Sequence, residues 1–190
     1  MLTIAWDVDD VLNDLMRQWF TCEWLPSHPE CALQYEGLKL NPPHTLLGIE
    51  EQAYLSSLDK FRASTAGKNL TPNPDLLNWF REHGPRCRHL ALTARPLETA
   101  PDVAFWVMQH FGKWIRCFGI LPSRPGADVP VYDRTKGEFL TWIKAGDILI
   151  DDTPRNREGV KALAFPQPWS GTSYTTFEFL RQLTGLVEKQ

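Results

Sequence analysis

The chain has 190 residues, with 20 Lys and Arg against 23 Asp and Glu and a formal net charge of −3. That length supports one buried core with room for an insertion, and so slight an acidity gives no reason to expect a nucleic-acid polymer as partner. Four scattered cysteines without a CxxC pair argue against a zinc site or a disulfide frame; with no basic-then-apolar leader and no apolar run near the ~20 residues of a membrane helix, the expectation is a soluble cytoplasmic protein that does not engage the membrane.

Residues 2–7 read as a first strand, and apolar pairs at Val11/Leu12, Leu15/Met16 and Trp19/Phe20 predict a helix over 11–24. Residues 26–44, rich in Pro, Ser, Asn and Gly, read as irregular, and helical spacing resumes over 50–61. Asn73-Pro74 reads as a helix start and Gly84-Pro85 as its stop. A strand over 89–93, a helix over 99–111 and a strand over 114–120 follow. The remainder reads as a helix over 135–144, a strand over 147–151, a helix over 154–163, a short strand at 164–165 and a final helix over 174–187. Alternating strands and helices imply α/β architecture, a parallel sheet covered on both faces in a three-layer, Rossmann-like arrangement. Residues 13–70 contain no convincing strand. They are expected to form a small helical cap inserted after the first strand, with 1–12 and 71–190 as the α/β core.

The chemistry concentrates at element boundaries. The apolar run Ile4-Ala5-Trp6 ends in Asp7-Val8-Asp9-Asp10, and Ile148-Leu149-Ile150 ends in Asp151-Asp152. In a parallel sheet these acids leave the carboxyl ends of strands, where open α/β sheets bind ligands. Carboxylates gathered at a dry edge repel one another, and a hard, oxygen-seeking ion such as Mg²⁺ would hold them together. Thr93 closes another strand. Lys136 sits in the first turn of a helix, against the helix dipole, just after Thr135, which with Glu138 matches a capping box. Each feature has an ordinary reading too: helix caps for the acids, a turn residue for Thr93, a solvated lysine for Lys136. Their joint occurrence in this order favours a site.

These four segments together resemble the motifs of the haloacid dehalogenase superfamily of aspartate-nucleophile phosphohydrolases. Asp7-Val8-Asp9-Asp10-Val11 is similar to the first motif, although many members carry glycine where this chain has Asp10. Leu90-Ala91-Leu92-Thr93 resembles the second motif, Lys136 stands in the place of the third, and Ile150-Asp151-Asp152 resembles the fourth. The short chain, the small cap and the Thr93-Ala94-Arg95-Pro96 turn look most like the 5′(3′)-deoxyribonucleotidase-like group. The resemblance implies a HAD-like fold and a Mg²⁺-dependent phosphomonoesterase. Asp7 would be the nucleophile, and Asp9 would exchange protons with the leaving oxygen and with water. Thr93 and Lys136 would grip the phosphoryl oxygens, and Arg95, an exposed turn residue on the sequence, could reach an anion. Asp7 and Asp151 would hold Mg²⁺, with Asp152 a ligand through water or a support behind them and Asp9 adding its backbone carbonyl. The implied substrate is a small phosphorylated metabolite, a nucleoside monophosphate being one form. Trp19, Phe20 and Trp24 are candidates either for stacking on a base or for cap core. The five histidines suggest no metal site.

Two readings compete with catalysis. A phospho-receiver module also combines acids, a Thr and a Lys around Mg²⁺, but there the phosphorylated Asp ends a middle strand, where this chain has Thr93. A second alternative is a module that binds a phosphorylated metabolite without hydrolysing it. Oligomeric state is not legible.

Overall fold

A computed structural model describes residues 1–124, 128–157 and 159–189. Five parallel strands form one sheet in the order β3-β2-β1-β4-β5: β1 is Thr3–Trp6, β2 Arg88–Arg95, β3 Ile115–Pro122, β4 Ile148–Asp151 and β5 Ala162–Ala164. The central β1 pairs with β2 (Trp6 opposite Ala91) and with β4 (Trp6 opposite Ile150). Strand order therefore reverses between β1 and β4. That reversal opens a crevice beyond their carboxyl ends, where Asp7 and Asp151 lie.

Alternation along the strands decides which layer each residue joins. Ile4 and Trp6 of β1, Ala91 of β2 and Ile148 and Ile150 of β4 face one core. That core is closed by helices α5 (Pro74–Glu82), α6 (Ala100–Phe111) and α8 (Thr176–Glu188) through Leu76, Phe80, Trp106, Phe111, Phe179 and Leu183. Ala5, Leu90, Leu92 and Leu149 point the other way and meet α7 (Lys136–Ile143) at Leu140. Burying a side chain the size of these contributes roughly 1.5–3 kcal/mol each, so the two-sided apolar strands commit the sheet to three layers. The α/β reading of the sequence agrees with this sheet.

Several predicted elements differ in detail. The expected helix over 11–24 is broken. A tight π-like turn at Val8–Leu12 holds Asp10 at φ 60°, and α1 starts only at Leu15 and runs to Trp19. A left-handed residue cannot continue a right-handed helix, and Asp is one of the few side chains that tolerates it. Asp10 stands where a glycine would serve, stabilised by its own contacts: its carboxylate accepts from Met16 N at 2.8 Å and its carbonyl from Gln167 Nε2 at 2.7 Å. After a π-turn at Phe20–Trp24 and α2 (Leu25–Ser27), the irregular stretch contains a short 3₁₀ turn, Tyr35–Gly37. The next helical segment is α3 (Glu51–Ala63), followed by α4 (Thr65–Lys68).

Where a helix was expected over 154–163, a 3₁₀ turn forms at Pro154–Arg157 and β5 begins at Ala162. Gly159, at φ 75°, ends helical geometry there, and Glu158 lies outside the described residues. The Thr135–Glu138 box is only half made. Thr135 Oγ1 accepts from Glu138 N, but the Glu138 carboxylate reaches one residue further back, to Arg134 N.

The insertion leaves and rejoins the sheet through paired segments: Asn13 bridges Pro72, and Asn73 N donates to Leu12 O at 2.8 Å. Between them Leu15, Trp19, Phe20, Tyr54, Leu58 and Phe61 pack around one another. Trp169, from the chain after β5, joins this cluster and ties the insertion to the sheet edge. Among the described residues, no helix is long and apolar enough to cross a membrane, and all four cysteines are free thiols.

Candidate active site

Strand β1 delivers Asp7 and β4 delivers Asp151 and Asp152 to the same crevice. One carboxylate oxygen from each lies within 4.8 Å of the others, and all three residues are buried. The cation between them is Lys136, whose side chain is 1 % exposed: Nζ donates to Asp7 Oδ1 at 2.7 Å and to Asp151 Oδ2 at 2.5 Å. The solvated-lysine reading of Lys136 is thereby excluded. Placed at the first residue of α7, it spans from the helix start to the strand ends, and burial that alone would lower its pKa is outweighed by Asp151 and Asp7, so the net shift is upward.

Asp7 Oδ1 also accepts from Val8 N at 2.7 Å. No hydrogen bond to its Oδ2 is found among the described residues, and Asp7 lines the cavity. Asp151 has the most partners of the three. It takes Thr153 N at 2.8 Å and Asn156 Nδ2 at 3.2 and 3.3 Å besides the lysine. Asp152 accepts from Trp169 Nε1. Burial, Asp151 and Asp152 push Asp7 well above the usual carboxylate range against the pull of Lys136, and burial with Asp151 pushes Asp152 up to about 7. Three buried acids share one ammonium, and their unbalanced charge together with their all-oxygen donor set fits a hard divalent cation.

Asp9 is expected to offer a metal its backbone carbonyl, and its carboxylate lies outside the three-acid cluster. Arg95 grips it, Nε to Oδ2 at 2.7 Å and Nη2 to Oδ1, and Arg62 Nη2 adds a contact at 3.2 Å. Burial would raise its pKa, but Arg95 and then Arg62 hold it down at about 2. In this arrangement the two arginines favour the charged form of Asp9. Arg95 departs from the expectation. It is buried at the end of β2, not an exposed turn residue, and two of its N–H donors go to Asp9.

Thr93 ends the inner part of β2 and is 1 % exposed; its Oγ1 has no hydrogen-bond partner among the described residues and lines the same cavity as Asp7 and Lys136. An unsatisfied buried hydroxyl disfavours the fold by roughly 1–3 kcal/mol, which points to an absent acceptor. The cavity holds about 280 Å³, and α3 contributes Tyr54, Leu55, Leu58 and Arg62 to its wall.

Sequence reasoning missed Arg62, Asn156 and Trp169. Arg62 stands four residues after Leu58 and eight after Tyr54, on the inward face of α3, but its partner Asp9 is 53 residues away and local spacing gives that placement no role. Asn156 had a readable signal, a polar side chain one turn after an acid pair, but the predicted helix obscured it. Trp19 and Phe20 are fully buried in the insertion and Trp24 stacks on His28 with centroids 3.6 Å apart, so all three belong to its packing.

Comparison with solved structures gives the same architecture. A haloacid dehalogenase-like family hydrolase from Streptococcus pneumoniae is 16 % identical, with 96 % of this chain and 98 % of that one covered and a TM-score of 0.60. A hydrolase from Streptococcus pneumoniae TIGR4 is 15 % identical over 96 % of this chain and 97 % of that one, with a TM-score of 0.56. A proposed beta-phosphoglucomutase from Thermotoga maritima is 15 % identical over 98 % and 100 %, with a TM-score of 0.52. The chain has the haloacid dehalogenase-like fold. No family model matches the sequence, and no curated protein matches it. Within this haloacid dehalogenase-like fold, Asp7, Thr93, Lys136, Asp151 and Asp152 are the sheet-edge positions the sequence motifs singled out.

Proposed function

We propose that the protein is a Mg²⁺-dependent phosphomonoesterase that works through an aspartyl-phosphate on Asp7, with residues 13–70 as a cap over the site. The observation that carries this reading is the buried Asp7–Lys136–Asp151 bridge beside the partnerless Thr93 hydroxyl. It supplies a nucleophilic carboxylate, a fixed cation and a spare donor in one cavity.

Asp7, Asp151 and Asp152 would hold Mg²⁺, which when bound supplies charge neutralisation for the incoming phosphoryl group. Asp7 Oδ2 attacks phosphorus, an O–P bond forms, and the ester O–P bond breaks. Lys136 and Thr93 bind the non-bridging oxygens as their charge shifts. Water then attacks the aspartyl-phosphate, releasing inorganic phosphate and restoring Asp7. Proton transfer by Asp9 requires the arginine grip on it to loosen as substrate enters. An aryl phosphate, whose leaving group departs without a proton, is therefore the first substrate to try. Phosphate release from an aryl phosphate and from a panel including nucleoside monophosphates should require Mg²⁺ and stop on adding a chelator. Release that is indifferent to the chelator, or none on any ester, contradicts the reading. A phospho-receiver gains no support: β2 ends in Thr93-Ala94-Arg95 with no acid to phosphorylate.

A further inference from the structure

Among the described residues, Arg62 is the cap side chain that forms an ion pair with Asp9. Both ends of its guanidinium are fixed: Nη1 donates to Asp59 at 3.1 Å and Nη2 to Asp9 at 3.2 Å. Asp59 is also held from the sheet side by Arg124, which follows β3. The chain Arg95–Asp9–Arg62–Asp59–Arg124 thus runs from sheet to cap and back, and it clamps the plane of Arg62. One of its three nitrogens is left without a partner. Arg62 Nε is buried and has no partner among the described residues, while the side chain lines the cavity. In a guanidinium, Nε–H and one Nη2–H leave on the same edge. The unpaired donor therefore belongs to the guanidinium edge it shares with Nη2, the nitrogen that meets Asp9.

The cavity walls narrow the candidates further. Its aromatic lining residue, Tyr54, is 2 % exposed, meets Trp19 edge-on at 5.2 Å and donates its hydroxyl to Met16 Sδ. It offers no open face on which a nucleobase could stack, and Trp19 and Phe20 are buried elsewhere in the cap.

We propose that Arg62 is a substrate-binding residue whose Nε–H donates to an oxygen acceptor on the leaving group close to the ester, so that the preferred substrates are small, non-aromatic phosphomonoesters bearing a neighbouring hydroxyl or carboxylate. This rests on the phosphomonoesterase reading for the word substrate, but the contact itself is a binding claim. Two buried donors in one cavity, Thr93 Oγ1 from the sheet and Arg62 Nε from the cap, ask for a ligand with acceptors at both places. The phosphoryl group satisfies the first and the leaving group the second.

The test uses matched ligands on the full chain with Mg²⁺ present: glycerol 3-phosphate, the phosphate ester of 3-hydroxypropanoate, n-propyl phosphate and thymidine monophosphate. Calorimetric binding to Asp7→Asn and turnover by the unmodified chain are both measured. One charge-assisted hydrogen bond should favour at least one oxygen-bearing ester over propyl phosphate by about 10-fold, and whichever of the hydroxyl and the carboxylate shows the preference identifies the acceptor. Thymidine monophosphate should gain nothing from its base. In Arg62→Lys, which keeps the charge between Asp9 and Asp59 but removes Nε–H, the preference should fall below about 3-fold. Arg62→Met should abolish it as well, and thermal melting of both variants separates this from loss of the fold. Equal binding of the propyl and oxygen-bearing esters, or a preference that survives Arg62→Lys, overturns the assignment of Arg62. A preference in binding without Mg²⁺-dependent turnover upholds the Arg62 contact and overturns the phosphomonoesterase reading instead.

Discussion

Lys136→Met should be the most damaging single substitution outside the apolar core, and the damage should depend on Mg²⁺. The variant leaves Asp7, Asp151 and Asp152 buried with no cation among them. Removing one partner from a buried ion pair destabilises by about 3–5 kcal/mol, because the remaining charges cannot be solvated. Mg²⁺ at millimolar concentration should recover part of that loss in a thermal melt, since it restores positive charge at the same place. Acid should help too. With Lys136 present Asp152 already sits at about 7, above the ordinary carboxylate value, and losing the lysine removes a downward pull, so the folded state takes up its proton first. Stability in chelator should then rise as pH falls from about 7 toward about 4, where the unfolded chain protonates as well. Turnover should drop by roughly 10²–10³-fold or more even with Mg²⁺, since the cation also faces the phosphoryl oxygens. A variant that melts like the parent in chelator would show that the lysine does not balance the acids.

Asp7→Asn should do the opposite to stability and more to activity. Asn is nearly isosteric and can still accept from Val8 N and Lys136, while one of the crowded negative charges disappears. In the absence of metal the variant should be at least as stable as the parent. Its phosphate release should fall by a factor on the order of 10⁴ or more, because an amide oxygen is too weak a nucleophile to open the covalent route. Residual activity within tenfold of the parent would mean that water attacks phosphorus directly and that Asp7 serves only the metal.

The parts of the molecule legible in the sequence were those fixed by short-range pattern. Apolar runs of alternating face ended in acids, and that was enough to place Asp7, Asp151 and Asp152 on one edge of a parallel sheet. Lys136 was legible because it breaks a local rule, a cation at a helix start, and its burial between Asp7 and Asp151 supplies the reason. The failures came where long-range contacts overrule local spacing. Asp10 sits in helical spacing, yet hydrogen bonds to Met16 and Gln167 hold it left-handed and end the helix before it starts. Arg95 looked like a turn residue because its partner, Asp9, is 86 residues away. Arg62 was invisible for the same reason, its partner being 53 residues off. The proton-exchange role of Asp9 comes from the motif, and its two arginines, 53 and 86 residues away, are not legible in it.

The central claim is that Asp7 carries a phosphoryl group during turnover. Acid quenching of the protein a few milliseconds after mixing with Mg²⁺ and a phosphomonoester, followed by peptide mass analysis, tests it most directly. The account predicts one phosphoryl group on the peptide containing Asp7, absent in Asp7→Asn and absent when Mg²⁺ is withheld. Steady release of phosphate with that peptide unmodified at every quench time would contradict it.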